Sequence, residues 1–285
     1  MRSHRSLFLP AARCGLLSFF AFAGFAYAQD QTVTGNLTVT QGAILGSSLS
    51  AGRIEIRPGG VLVGKGTYGS SPVLLSTEQG AGTRLLWHPR KAALRAGRVT
   101  GTQWDEASIG NDSIALGLNP KASGYASVAI GVSSVASGDH SMAMGPGAVA
   151  SGIYSVAVGT GQATNYQAIG MGFGYAAGLN SLATGEGYAG GMFSTAMGGG
   201  QASGDYSTAM GYSLADSFLS TAIGLYNLGG GSPDQWIPTD PLFEIGNGYE
   251  NWVPSNALTV YKNGNMDVQG AITCAPGGDI PMFGE

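Results

Sequence analysis

The sequence predicts an all-β protein built around a parallel β-solenoid. Three observations predict it: a short phrase that returns nine times, an alternation of small and large residues inside each phrase, and glycine-bearing steps between phrases. Repetition at a short, nearly fixed period is typical of architectures in which each unit buries its apolar face only against its neighbours. The phrases read SIALG at 113, SVAIG at 127, SMAMG at 141, SVAVG at 155, YQAIG at 166, SLATG at 181, STAMG at 194, STAMG at 207 and STAIG at 220.

Within each phrase, residues alternate with the period of two that is typical of a β-strand. Larger residues such as Val128 and Ile130 flank a central alanine, and we expect them to fill the inside of a thin coil. We expect the alanine face to lie close to another surface, because a larger side chain would overpack there. The central alanines are Ala115, Ala129, Ala143, Ala157, Ala168, Ala183, Ala196, Ala209 and Ala222.

The steps between phrases predict the corners of the coil. A second pattern, Ala-Ser-Gly or Ala-Ala-Gly, ends at Gly124, Gly138, Gly152, Gly178 and Gly204. Glycine is expected here to supply turns with positive φ. Each repeat is therefore predicted to form one turn with two short strands and two corners. The phrase starts are 14, 14, 14, 11, 15, 13, 13 and 13 residues apart, which predicts an irregular coil near Tyr166 and Ser181.

The phrases resemble the head repeats of the trimeric autotransporter adhesins, the YadA-like family, whose motif is close to SVAIG followed by an Ala-Ser-Gly step. The resemblance covers residues 113–226. It implies a left-handed parallel β-roll with Val128, Ile130 and their equivalents inside, three chains packed side by side, and a role in adhesion. The family's long coiled-coil stalk and C-terminal membrane anchor have no counterpart in this sequence, and we expect both to be absent.

The N-terminus has the pattern of a cleavable secretory signal over residues 1–28. Arg2, Arg5 and Arg13 precede an apolar run, and Ala26-Tyr27-Ala28 provides a small-x-small cleavage site. Cleavage takes the net charge from −4 to −7, because three arginines are lost and no acidic residue is. We therefore expect a secreted or surface-exposed protein that binds neither nucleic acid nor anionic membrane and keeps no transmembrane segment.

Two cysteines carry separate expectations. Cys14 follows Arg13, a setting that does not suit a lipoprotein site, so no lipid anchor is expected. Cys274, which remains after cleavage, is expected to be a buried or tolerated thiol, with a bond between chains as the alternative.

The rest of the chain divides by composition into flanking regions. Residues 29–83 alternate short apolar runs with glycine and predict a β-rich, fibre-like region. Residues 84–112 form a basic connector and cap. After the repeats at 113–226, residues 227–285 predict a linker and a β-hairpin cap, with Asn-Gly turns at 247–248 and 263–264.

Two clusters in the sequence are candidate binding sites. Five basic residues lie within 84–98, which suits either acidic glycans or a connector whose charges meet Asp105, Glu106 and neighbouring chains while Trp87 and Trp104 pack. Aromatic residues lie at the coil corners, where they either stack on ligands or cover the backbone and fill gaps between chains. Three of them come one residue before a phrase, namely Tyr154, Phe193 and Tyr206. The others lie nearby, at Tyr125, Tyr166, Phe173, Tyr175, Tyr188 and Tyr212.

The sequence predicts no catalytic, metal-binding or cofactor-binding residue. Asp139, His140 and Ser141 are consecutive, so their side chains point apart and cannot form a relayed triad. The glycine spacing at 170–178 lacks the βαβ setting of a dinucleotide site.

We therefore expect a structural or adhesive trimeric fibre that binds host, neighbouring-cell or matrix ligands. The alternative is a secreted, tail-fibre-like protein that binds or depolymerises polysaccharide, for which hydrolysis would need paired carboxylates. A flat ice-binding solenoid is suggested only by Thr195, Thr208 and Thr221, which we expect to lie with the core side chains.

Overall fold

The fold is taken from a computed structural model, which describes residues 43–45, 53–57, 61–70 and 73–270. The predicted signal peptide, Cys14 and Cys274 lie outside the described residues. The chain divides into residues 1–40 and 41–285, and every described residue belongs to the second unit.

The described residues form β-strands joined by turns and three short 3₁₀ segments, without an α-helix. Near the N-terminus β1 (Ala43–Leu45), β2 (Arg53–Arg57) and β3 (Val61–Lys65) form one antiparallel sheet. Next come β4 (Gly82–His88) and β5 (Ala93–Val99), which form an antiparallel hairpin.

The repeats form a solenoid of about nine turns with two parallel sheets, as predicted. One sheet contains the longer strands β6 (Ile114–Leu118), β8 (Val128–Val132), β10 (Met142–Met144), β12 (Val156–Gly159), β14 (Ile169–Gly172), β16 (Leu182–Gly185), β18 (Thr195–Gly198), β20 (Thr208–Tyr212) and β22 (Thr221–Leu225). The other contains the two-residue strands β7 (Lys121–Ala122), β9 (Val135–Ala136), β11 (Val149–Ala150), β13 (Gln162–Ala163), β15 (Tyr175–Ala176), β17 (Tyr188–Ala189), β19 (Gln201–Ala202) and β21 (Leu214–Ala215). We call these the long-strand sheet and the short-strand sheet.

The long-strand sheet continues beyond the repeats at both ends. The hairpin strand β5 pairs in parallel with β6. At the other end β23 (Pro241–Asn247) pairs in parallel with β22 and then turns into the antiparallel strands β24 (Asn256–Tyr261) and β25 (Met266–Val268). A turn at Asn263-Gly264 joins the last two strands, and Gly264 has a φ of +87°.

The core of the solenoid consists of alanine, and the prediction that Val128 and Ile130 lie inside is wrong. Alanines from both sheets form one cluster with an exposure of 0–1%. Val128 and Ile130 instead point outward and are half-buried. Two sheets joined by such short corners lie too close together for larger side chains, so the surface that the alanine face meets is the second sheet of the same coil.

The coil is regular at the fifth rung, where the sequence predicted irregularity. Ala157 pairs with Gly170 and not with Ala168, so the true phrase there is Ala-Ile-Gly-Met-Gly from 168. Ala168 takes the place held by serine in the other rungs, since its carbonyl accepts from the Val156 N–H at 2.9 Å. In this register the steps between phrases are three of 14 residues and then five of 13.

The change from 14 to 13 residues lies in the corner that follows each longer strand. In the longer corners a glycine with φ near +125°, such as Gly131, is followed by a left-handed residue such as Ser133. In the shorter corners one glycine with φ near +70°, such as Gly172, makes the turn alone. The extra residue is absorbed there, so the strands keep their register.

The glycines of the Ala-Ser-Gly steps do not supply positive φ, contrary to the prediction. A Cβ added at Gly138 would overlap the carbonyl oxygen of Gly152 in the next rung, and no room exists for it. The left-handed turn at this corner is made two residues later by non-glycine residues such as His140 and Tyr154, with φ of 56° and 58°. Close stacking of rungs therefore explains these glycines.

Candidate interaction surfaces

The outer face of the long-strand sheet is apolar over most of its length, with threonines in its last turns. Two columns of side chains run along it, and many members are more than one-third exposed. Two rows of three residues lie in register across β8, β10 and β12, namely Val128–Met142–Val156 and Ile130–Met144–Val158. An exposed apolar strip of this length marks a site of association. The outward columns are Ile114, Val128, Met142, Val156, Ile169, Leu182, Thr195, Thr208 and Thr221, and Leu116, Ile130, Met144, Val158, Met171, Thr184, Met197, Met210 and Ile223.

Thr195, Thr208 and Thr221 belong to this outer face, contrary to the prediction that they lie with the core. Each pairs with the next in register, and each is half-buried. Towards the N-terminus the column continues with apolar residues, because Thr195 pairs with Leu182 of the preceding rung. The threonines are the end of a mixed strip and not a flat threonine surface.

Aromatic rings form two separate columns at the corners before several of the longer strands. Tyr125, His140, Tyr154 and Tyr166 contact one another in sequence, with ring centroids 5.1, 4.9 and 5.7 Å apart. A second run, Phe193, Tyr206 and Phe218, has spacings of 5.0 and 5.9 Å. The tyrosines of the first run remain 40–48% exposed. The rings therefore cover the corner backbone and still present their edges to solvent.

The basic cluster at 84–98 lies on the first hairpin. Three of its five members, Arg84, Lys91 and Arg95, interact with other residues of the chain. Arg84 lies over the buried ring of Trp104 at 5.7 Å, whereas Trp87 is 45% exposed. Lys91 and His88 approach Glu106 at 3.6 and 2.7 Å. Arg90 and Arg98 make no side-chain hydrogen bond or ion pair among the described residues.

Glu106 is the acidic centre of this hairpin. Burial acts to raise its pKa, but the hydrogen bonds from His88 and the Leu74 N–H and the charge of Lys91 outweigh burial and hold the pKa below its ordinary value. Asp105, the other expected acidic partner, accepts instead from the Gly80 N–H at 2.6 Å.

A charged residue closes the alanine core at each end, and neither residue was predicted from the sequence. Arg95 pairs in register with Ala115 and is fully buried, and its guanidinium donates to the Ser113 and Ala122 carbonyls at 2.9 and 3.0 Å. Burial lowers the pKa of Arg95 to about 10, which leaves it charged at neutral pH. At the opposite end Glu244 pairs with Ala222 and is 2% exposed.

Glu244 and Asn227 form the cap at the C-terminal end. The amide of Asn227 accepts from the Leu214 N–H at 2.7 Å and donates to its carbonyl at 2.8 Å, as a further strand of the short-strand sheet would. Glu244 accepts from Asn227, Asn256 and the Gly229 N–H. Burial nevertheless raises the pKa of Glu244, with a smaller contribution from the charge of Asp216.

The sequence did contain a signal for both caps. Leu94-Arg95-Ala96-Gly97 and Phe243-Glu244-Ile245-Gly246 are degenerate copies of the repeated phrase in which a charged residue replaces the central alanine. Terminal repeats of solenoids are commonly atypical in this way, because their outer side has no neighbouring rung.

Asp139, His140 and Ser141 are not brought together. Asp139 accepts from the Tyr125 N–H at 2.8 Å, His140 stacks on Tyr154, and Ser141 is buried. Over the described part of the chain, no cluster of three or more His, Cys, Asp and Glu side chains is placed to hold a metal ion.

Comparison with known families identifies the repeats. The model of the YadA head domain repeat matches residues 108–134, 122–146, 136–161 and 201–213, which lie on the solenoid. The solenoid of this chain contains YadA-like head repeats. A search of curated proteins found no match. In the described portion of this head-repeat protein, no helix has the length and apolarity needed to cross a membrane.

Proposed function

We propose that this YadA-like head-repeat protein is an exported adhesive fibre in which three chains pack side by side. The YadA head family supports an adhesin-like fibre. The observation that carries the proposal is the outer face of the long-strand sheet, where Met142, Met144, Val158 and Met171 are 36–43% exposed in the single chain. Burial of this strip against equivalent strips of two other chains would remove it from water.

The proposal includes the expected processing and organisation of the chain. Residues 1–28 act as a cleaved signal, residues 84–112 and 227–285 close the two ends of the rod, and residues 29–83 extend it. The aromatic corners and the short-strand sheet then remain available to an extracellular ligand. No catalytic step is proposed.

The alternative of polysaccharide hydrolysis has less support. The acidic residues near the C-terminal cap are engaged with the backbone of the preceding loop: Asp216 accepts from the Gly230 N–H at 2.8 Å and Asp240 from the Ser232 N–H at 2.8 Å. Carboxylates held in this way fix a loop. Polysaccharide binding without hydrolysis is compatible with the proposed fibre.

The mass of the purified chain in solution tests the assembly. Light scattering behind a sizing column is expected to give the mass of three chains. A one-chain mass at micromolar concentration would contradict the trimeric fibre, because the apolar strip would then be stable in water.

A further inference from the structure

A cleft of about 240 Å³ lies beside the last turns of the coil, where the C-terminal end of β20 meets the short-strand sheet. It is bounded by outward residues of β19 and β21, by the corners that follow β20 and β22, and by the loop at 248–255. The lining residues are Gly199, Gln201, Tyr212, Ser213, Leu214, Tyr226, Asn227, Asn251 and Pro254.

Two tyrosines give the cleft its aromatic wall. The rings of Tyr212 and Tyr226 have centroids 6.2 Å apart and are tilted by 46°. The Tyr212 ring lies directly over Gly199, where an added Cβ would overlap the ring. The absence of a side chain at Gly199 therefore leaves room for the ring, and 53% of Tyr212 stays exposed. The loop that supplies Asn251 also carries Trp252, which is 75% exposed.

The polar groups of the cleft are of two kinds. Ser213 and Asn227 are already engaged with the backbone, Ser213 by donating to the Ala222 carbonyl at 2.9 Å. The side-chain amides of Gln201 and Asn251 and the two tyrosine hydroxyls make no hydrogen bond within the described part of the chain. Free amides offer both donors and acceptors, and no charged side chain lines the cleft.

We propose that this cleft binds one ring of a neutral saccharide, a proposal that rests on the adhesive function above and names its ligand class. A tyrosine face packs against the apolar face of a pyranose ring, while amides pair with neighbouring hydroxyls. The small size of the cleft suits a single sugar ring and not an extended chain. The absence of a lining charge disfavours acidic sugars.

The cleft stays accessible in the proposed trimer. Gln201 and Leu214 point outward from the short-strand sheet, and the alanine core separates that sheet from the apolar strip. Tyr212 ends a strand of the long-strand sheet, but no lining residue belongs to the two apolar columns. Chains that pack through those columns would therefore leave the cleft uncovered, once in each chain.

Saturation-transfer NMR on the full chain tests the proposal. The probes are the methyl glycosides of glucose, galactose, mannose and N-acetylglucosamine, with galacturonic acid as the acidic comparison. At least one neutral glycoside is expected to bind in preference to the acid. Tyr212→Ala is expected to weaken that binding at least tenfold, and Gln201→Ala several-fold.

Matched variants on the same sheet serve as controls. Gln162 occupies the column of Gln201 three turns away, and Tyr188 is exposed on the same sheet outside the cleft. Gln162→Ala and Tyr188→Ala are expected to bind as the parent does. Binding of no neutral glycoside, preference for the acid, or binding that survives Tyr212→Ala would each overturn the proposal.

The mass measurement separates the two proposals. A three-chain mass without sugar binding would overturn the saccharide cleft alone. A one-chain mass with sugar binding that depends on Tyr212 would overturn the trimer and leave the cleft standing.

Discussion

At the scale of single residues, the solenoid depends on side chains that are small enough to lie between two closely spaced sheets. Ala143 is completely buried and pairs in register with Ala129 and Ala157. Each alanine contributes little apolar area, so the core gains its stability from the number of rungs and from the hydrogen bonds between them.

Ala143→Leu is expected to lower the free energy of unfolding by about 1–3 kcal/mol per chain, because the larger side chain overpacks the core. Chemical denaturation at fixed protein concentration measures this. Met142→Leu is the matched control, since Met142 is on the outer face and 38% exposed. An unchanged transition for Ala143→Leu would mean that the alanine column has unused space.

Glu244 is the residue whose charge state most directly affects the C-terminal cap. Its folded pKa is raised by burial, so the protonated form is favoured in the folded state. The stability that this provides is present below the ordinary pKa of glutamate and is lost as pH rises through the raised value.

Glu244→Gln removes this titration. The melting temperature of the variant minus that of the parent is therefore expected to increase from pH 4 towards neutral pH. Thermal unfolding followed by circular dichroism across this range measures the difference. A difference that stays constant would show that the three hydrogen bonds to Glu244 offset its burial, and one that falls with pH would show that they outweigh it.

At the scale of the structural element, the corners determine how closely successive turns can stack. Glycine is required in two ways: at positive φ after each longer strand, and at close backbone approach in the Ala-Ser-Gly steps. The corner that contains the aromatic column tolerates larger residues because its left-handed positions point to solvent.

Gly138→Ala tests whether glycine is needed at this position for close approach to the next rung and not for its backbone conformation. Its Cβ would overlap the Gly152 carbonyl, so we expect a loss of about 3 kcal/mol, at the upper end for overpacking. The control is Gly147→Asn, because Gly147 has open space and its equivalent in the preceding longer corners is Asn119 or Ser133. Urea denaturation of both variants measures the two effects, and equal losses would contradict the assignment.

At the scale of the whole molecule, the alanine core leaves the larger apolar side chains outside. A single coil leaves more than one-third of Met142, Met144 and Val158 exposed, and the proposed partner chains would cover them. In the proposed trimer the two sheets of the coil have different roles: the long-strand sheet for association and the short-strand sheet with its corners for ligands.

Met144→Glu places a charge in the middle of the proposed interface. It is expected to shift the solution mass from three chains towards one, because burial of an unpaired carboxylate is unfavourable. Tyr188→Glu, on the exposed face of the short-strand sheet, is expected to leave the mass unchanged. Light scattering measures both variants, and a trimer that tolerates Met144→Glu would exclude this face as the interface.

The sequence by itself determined the all-β class, the nine-turn solenoid and the family, because the repeated phrase encodes strand, corner and stacking in local letters. It also contained the two terminal rungs at Arg95 and Glu244, but these degenerate copies of the phrase are recognised only from the strand pairing in the structure. Period-two alternation distinguishes two faces but does not say which is inside.

Only the tertiary structure decided that the alanines lie within the coil and Val128 and Ile130 outside. The deciding quantity is the distance between the two sheets, which depends on corner geometry across many residues. The same holds for Gly170, whose pairing with Ala157 shows the true register, and for the cleft at Tyr212 and Tyr226, whose walls come from four separate segments. Packing between segments that are distant in the chain cannot be predicted from the residues of any single phrase, so these features are known only from the tertiary structure.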